Sequence, residues 1–193
     1  MAISLSKGQK VDLTKSNPGL SKVVVGLGWD TNKYDGGESF DLDTSVFLLD
    51  ETGRCASDAD FVFYNQLVGG NGSVKHNGDN RTGAGDGDDE TIDVDLLNVP
   101  ANISRISFVI TIHDGEAKNQ NFGQVSNAYA RVFNPANGEE LIRYDLGEDF
   151  SIETAIIAGE LYRHNGEWKF SAVGSGYQGG LARICTDFGL NIG

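Results

Sequence analysis

The chain has 193 residues, 39% of them apolar and 22% charged, with 26 Gly and only 3 Pro, the composition of one folded domain (residues 1–193) large enough to bury a core. Its 28 carboxylates outnumber its 15 Lys and Arg, giving a formal charge of -13, so a phosphate backbone would repel it and nucleic acid is not an expected partner. No stretch approaches the roughly 18 apolar residues that cross a bilayer, and the start, MAISLSKGQKVDL, lacks the pattern of a secretory leader, so a cytoplasmic protein with Cys55 and Cys185 reduced is expected.

The periodicity is that of strands. Residues 22–29 (KVVVGLGW) and 40–49 (FDLDTSVFLL) are short apolar runs rich in β-branched and aromatic residues, as expected of central strands covered on both faces. Asp93 and Asp95 in TIDVDL read as the outward face of another strand. Residues 105–113 alternate, with Ile106, Phe108, Ile110 and Ile112 on one strongly apolar face and Ser107, Val109, Thr111 and His113 on the other. Trp168, Phe170 and Ala172 alternate likewise. Asn137-Gly138 and Asn165-Gly166 each lie between two plausible strands and suit hairpin turns. Leu181, Ile184, Cys185 and Phe188 fall at helical spacing, with Gly189 placed to end a short C-terminal helix. The whole reads as an all-β-dominated fold, an antiparallel β-sandwich with that one helix.

The charge is concentrated. Residues 30–95 hold 16 carboxylates against four bases, a balance of -12. Asp41 and Asp43 in FDLD share one face of a strand, which further on becomes Ser45, Phe47 and Leu49, so the two carboxylates stand at a rim where core packing stops. Asp30 ends the preceding apolar strand, and Asp58 and Asp60 stand at the entrance to FVFYN. The segment GDNRTGAGDGDDE, residues 78–90, has four glycines and five carboxylates. Such a segment can turn backbone carbonyls inward and offer anionic oxygens, the ligands that calcium takes with irregular geometry, whereas magnesium demands a tighter octahedron and zinc prefers His and Cys. The alternative is a set of solvated acidic loops that never converge. The spacing is not that of an EF-hand, because Arg81 and Ala84 stand where that loop needs an oxygen ligand and a glycine.

Nucleophilic catalysis has little support. His113-Asp114 could hold a general base, but adjacent strand residues point to opposite faces and no activated Ser or Cys is evident. GSGYQGG, residues 174–180, reads as an ordinary turn into the helix rather than a phosphate loop. An enzyme is not expected.

GLGWD (26–30), FDLDTSVFLLD (40–50), DADFVFYNQL (58–67), GSVKHNGDNRTGAGDGDDE (72–90), VITIHD (109–114), FGQVSNAYARV (122–132) and ELYRHNGEWKFSAVGSGYQGGLA (160–182) resemble, in order and over nearly the whole chain, the tellurium-resistance TerD family. The resemblance implies a bacterial, cytoplasmic β-sandwich that binds calcium, with two ions expected. It further implies a role in tellurite resistance and stress response, and action with other Ter-type proteins at the inner membrane surface. The acidic positions carried over by the resemblance are Asp30, Asp41, Asp43, Asp58, Asp79, Asp86, Asp88 and Glu90, with Asp60 and Asp89 as further candidates. Ala84 and Ser175 depart from the family pattern, the first removing a possible oxygen. Two other readings remain open: an enzyme modifying tellurite or another small anion, and an interaction module that binds no metal.

Overall fold

The structure, a computed structural model, describes residues 2–31, 41–78, 88–146 and 152–190. Along the chain these form β1 (Ile3–Leu5), β2 (Lys10–Asp12), β3 (Lys22–Thr31), β4 (Leu42–Leu49), β5 (Phe61–Val62), β6 (Val68–Gly69), β7 (Val74–His76) and β8 (Glu90–Asp95). There follow β9 (Arg105–Ile112), β10 (Val125–Asn134), β11 (Glu139–Asp145), β12 (Ala155–His164), β13 (Glu167–Tyr177) and the helix α1 (Gly180–Asp187). Among the described residues the strands make two sheets, in the orders β1-β11-β10-β3-β8-β7-β6 and β2-β13-β12-β9-β4-β5. The pairings are antiparallel except for β1 with β11, which is parallel.

Alternation along the strands builds two apolar layers. Val23, Val25, Leu27 and Trp29 of β3 meet Leu42, Val46 and Leu48 of β4 and Ile106, Phe108, Ile110 and Ile112 of β9 in the core between the sheets. The other face of the second sheet is apolar as well: Phe47, Leu49, Val109, Ala155 and Ile157 are buried under Ile184 and Cys185 of α1. That second layer explains why β4 is buried at every position. It also differs from the expectation for β9, whose Ser107, Val109 and Thr111 are buried too, because α1 and its flanking segments cover the face that alternation alone would leave wet. Cys55 and Cys185 are free thiols in this layer; burial pushes Cys55 up to about 12 and Cys185 up to about 11, which keeps both thiols protonated and unreactive.

The hairpins form where expected. Asn165 and Gly166 both take left-handed angles, φ 52° and 79°, closing β12 onto β13 with His164 opposite Glu167. The helix ends at Gly189, φ 82°, the left-handed position that glycine fills without a Cβ penalty. The direction of the strands gathers one set of ends together. β3 and β9 finish where β4 and β8 begin, so Asp30, Asp41, residues 88–90, His113 and the entry to α1 lie at one end of the sandwich.

Candidate functional site

At that end the consecutive residues Asp88, Asp89 and Glu90 are sent three different ways. Glu90 opens β8 and points between the sheets, with only 1% of its side chain exposed. Its Oε2 accepts the backbone N–H of Thr44 at 2.7 Å and lies 3.2 Å from Nε2 of His76, which is equally buried. The same Nε2 lies 3.1 Å from the carbonyl oxygen of Thr44, while Nδ1 accepts the N–H of Gly78 at 3.0 Å. An acceptor at Nδ1 and two oxygens at Nε2 define a neutral imidazole carrying its proton on Nε2. Glu90 and His76 thus form a polar crosslink from β8 and β7 in one sheet to β4 in the other.

Asp88 turns to the outer face of the first sheet. Arg131 grips its carboxylate in a forked contact, with Nε 2.8 Å from Oδ1 and Nη2 2.7 Å from Oδ2, and the Tyr129 hydroxyl donates to Oδ1 at 2.9 Å. Only 7% of the Asp88 side chain is exposed, a burial that the paired guanidinium makes tolerable. The carboxylate and the Tyr129 ring lie directly on the β3 backbone, where a Cβ at Gly26 would overlap the Asp88 carboxylate and one at Gly28 would overlap the ring. The GLG of GLGWD is therefore a flat seat for these two groups.

Asp89 stays at the end of the sandwich. Its Oδ2 accepts the N–H of Trp29 at 2.8 Å, and its own N–H bonds the Leu27 carbonyl at 2.9 Å. Burial pushes its carboxyl up to about 6, with the charges of Asp30, Glu90 and Asp88 adding to the shift against the Trp29 hydrogen bond. Asp30 is exposed beside it and accepts from Asn127 Nδ2 at 2.8 Å. Asp41 extends the pairing of β4 with β9, its carbonyl accepting the N–H of His113 at 2.7 Å; its carboxylate Oδ1 is buried without a hydrogen-bond partner among the described residues. Asp43, 7% exposed, lies on the outer face of the second sheet, opposite Thr111.

The expected acidic set is therefore only partly brought together. Asp30, Asp41, Asp43, Asp88 and Glu90 share one end, but Asp88 is committed to Arg131 and Glu90 to the inter-sheet crosslink. Asp58 is elsewhere: Phe61 pairs with Phe47, so Asp58 lies beyond that level, at least about 13 Å along the strand from Asp43 at about 3.3 Å per residue. Its neighbour Asp60 is raised by burial and by the charge of Asp50, which belongs to the far end of β4. Asp79 and Asp86 lie outside the described residues. Among the described residues no three His, Cys, Asp or Glu converge closely enough to hold a metal ion. Among the described residues, a metal at this end would draw on Asp30, Asp41 and Asp89. The buried Asp41 Oδ1, unpartnered among the described residues, and the Asp89 carboxyl raised by burial and by its acidic neighbours fit such an ion, whose charge would offset the desolvation of the one and the repulsion at the other.

Sequence reasoning missed the Arg131-Asp88-Tyr129 cluster and the buried His76. The two glycines inside an apolar strand were the available signal for the first, since glycine there marks a close approach of another group. For His113 and Asp114 the structure corrects the expectation that they diverge. Asp114 has left the strand with φ 53°, and its Oδ2 comes within 3.4 Å of His113 Nε2.

The molecule is a two-sheet, antiparallel-dominated sandwich with Asp30, Asp41, Asp43 and residues 88–90 at one end. The chain belongs to the TerD domain family, which matches residues 1–188. It is 78% identical over 193 residues to general stress protein 16U of Bacillus subtilis (strain 168), covering 100% of both chains. It is 56% identical over 191 residues to tellurium resistance protein TerD of Serratia marcescens, covering 99% of each. The fold is shared with a crystal structure of a telluride resistance protein (TerD) homologue from Streptomyces coelicolor A3(2), at a TM-score of 0.69 and 23% identity, over 86% of this chain and 96% of that one.

Proposed function

We propose that this protein is a calcium-binding, non-enzymatic stress-response protein linked to tellurite resistance, in which calcium orders the acidic end of the sandwich into a surface read by a protein partner. The buried Asp41 Oδ1, which has no hydrogen-bond partner among the described residues, is the observation that carries the reading. Asp41 and Asp89 would hold the ion from the framework side, Asp30 from the rim, and residues 79–87, with Asp79 and Asp86, would complete the oxygen shell. Calcium supplies charge neutralisation there and tolerates a shell assembled from carboxylates and backbone carbonyls. The framework residues need not move: Glu90, His76 and Arg131 already fix where the acidic segment returns to the sheets.

The partner we propose is an assembly of other Ter-type proteins at the inner membrane surface, in keeping with the tellurium resistance relatives. Among the described residues no helix is long and apolar enough to cross a membrane. Two calcium ions would reduce the charge of residues 30–95 from -12 to about -8, so that stretch as a whole stays acidic and simple attraction to anionic lipid is not the expected mode. Sedimentation of the isolated protein with phosphatidylserine vesicles is expected to leave it in the supernatant with and without calcium. Strong calcium-dependent pelleting would overturn the partner-mediated mechanism in favour of direct lipid docking.

A further inference from the structure

A cavity of about 490 Å³ opens on the outer face of the second sheet, between residues 113–117 and the start of α1. Its volume lies in the range of small-molecule sites, about 300 to 1,000 Å³. Three carboxylates, Asp43, Asp114 and Glu116, stand in its wall with the Tyr64 ring, and no Lys or Arg does so among the described residues. Glu116 is fixed in place by the N–H of Gly179, which donates to its Oε1 at 3.0 Å, and Asp114 is held against His113. A polar group in the same wall also waits for a partner. Thr154 is 3% exposed, and its Oγ1 is buried without a hydrogen bond among the described residues; it faces Gly180, where an added Cβ would lie 3.7 Å away.

We propose that this cavity binds a small organic cation, an aliphatic polyamine. Among the described residues the carboxylates of this wall do not converge to metal-ligand spacing, so Asp114 and Glu116 suit a cation longer than a metal ion, with charges distributed along a chain. Each ammonium carries several N–H donors, which supply both the salt links and the hydrogen bond that Thr154 Oγ1 lacks. Tyr64, 39% exposed and part of the cavity wall, brings an aromatic ring that a cation there can contact. The site is separate from the proposed calcium centre, which draws on Asp41, Asp89 and residues 79–87.

Calorimetric titration of the full chain with spermidine at physiological salt tests the proposal. Saturable binding is expected, weakened at least about tenfold in Asp114→Asn/Glu116→Gln, since two charge-assisted contacts are lost, and about fivefold in Tyr64→Ala, which changes no charge. Asn accepts the left-handed backbone of Asp114, and Gln keeps the acceptor for Gly179, so the double variant retains the fold. Asp58→Asn/Glu51→Gln, which removes the same charge at the opposite end, is expected to bind spermidine like the parent, and calcium affinity is expected to be unchanged in the Asp114/Glu116 pair. No saturable binding, equal losses in the two double variants, or an unaffected Tyr64→Ala would each overturn the site and leave only general attraction to an acidic protein.

Discussion

Saturating calcium is expected to raise the melting temperature of this protein by about ten degrees over its value in a chelator, since a ligand at a thousandfold excess over its Kd stabilises the folded state by about 4 kcal/mol. Magnesium at equal concentration is expected to do much less, because its octahedron is rigid and it sheds water reluctantly. The effect has a pH signature set by Asp89, whose carboxyl is pushed up to about 6 from the ordinary 3.8 by burial first and by Asp30, Glu90 and Asp88 next. A carboxyl that holds its proton more tightly when folded makes the ionised form a burden on the folded state, fully present above about pH 6 and absent below the unfolded value near 4. Calcium relieves that burden only where it exists. The calcium-dependent gain is therefore expected to be largest near pH 7 and to shrink as pH falls through 6, and melting curves across that window check it. Identical curves in calcium and in chelator at pH 7 would contradict the reading.

Glu90→Ala is expected to destabilise the calcium-free protein by about 3 kcal/mol or more, because the buried Thr44 N–H loses its acceptor, the His76 Nε2–H keeps only the Thr44 carbonyl, and a buried side chain is removed between the sheets. That corresponds to a fall of at least about 6 °C in melting temperature for a chain of this size. Glu140→Ala, which removes only a half-exposed partner 3.8 Å from Arg131, is expected to cost under about 1 kcal/mol. The comparison separates two roles for Glu90. If it served chiefly as a metal ligand, its removal would relieve charge repulsion in the calcium-free protein and leave the melting temperature unchanged or higher.

The sandwich was legible because its long strands obey one rule each. Alternation in residues 105–113 and 168–172 locates β9 and β13, the two Asn-Gly turns locate the pairs β10–β11 and β12–β13, and the helical spacing of Leu181, Ile184, Cys185 and Phe188 locates α1. The short strands β1, β2, β5, β6 and β7, at or next to the sheet edges, have two or three residues each, too few for any period to declare itself, and they form only where a neighbouring strand offers them a ladder. The acidic end was legible as a concentration of charge, but not its division. Asp88, Asp89 and Glu90 are one word in the sequence, and only the placement of Gly26, Arg131 and His76 on other strands decides that the first pairs outward, the last pairs inward and the middle one remains at the rim. The distance of Asp58 from this end was likewise invisible, since it depends on β5 pairing with the middle of β4.

Calorimetric titration of calcium into the parent protein, Asp41→Asn and Asp58→Asn tests the central claim most directly, because the two substitutions remove the same charge at opposite ends of the sandwich. The parent and Asp58→Asn are expected to bind calcium alike, and Asp41→Asn to bind it at least about tenfold more weakly, for the loss of one charged oxygen ligand. No saturable heat in the parent, or equal affinity in Asp41→Asn and the parent, would contradict a calcium centre built on Asp41.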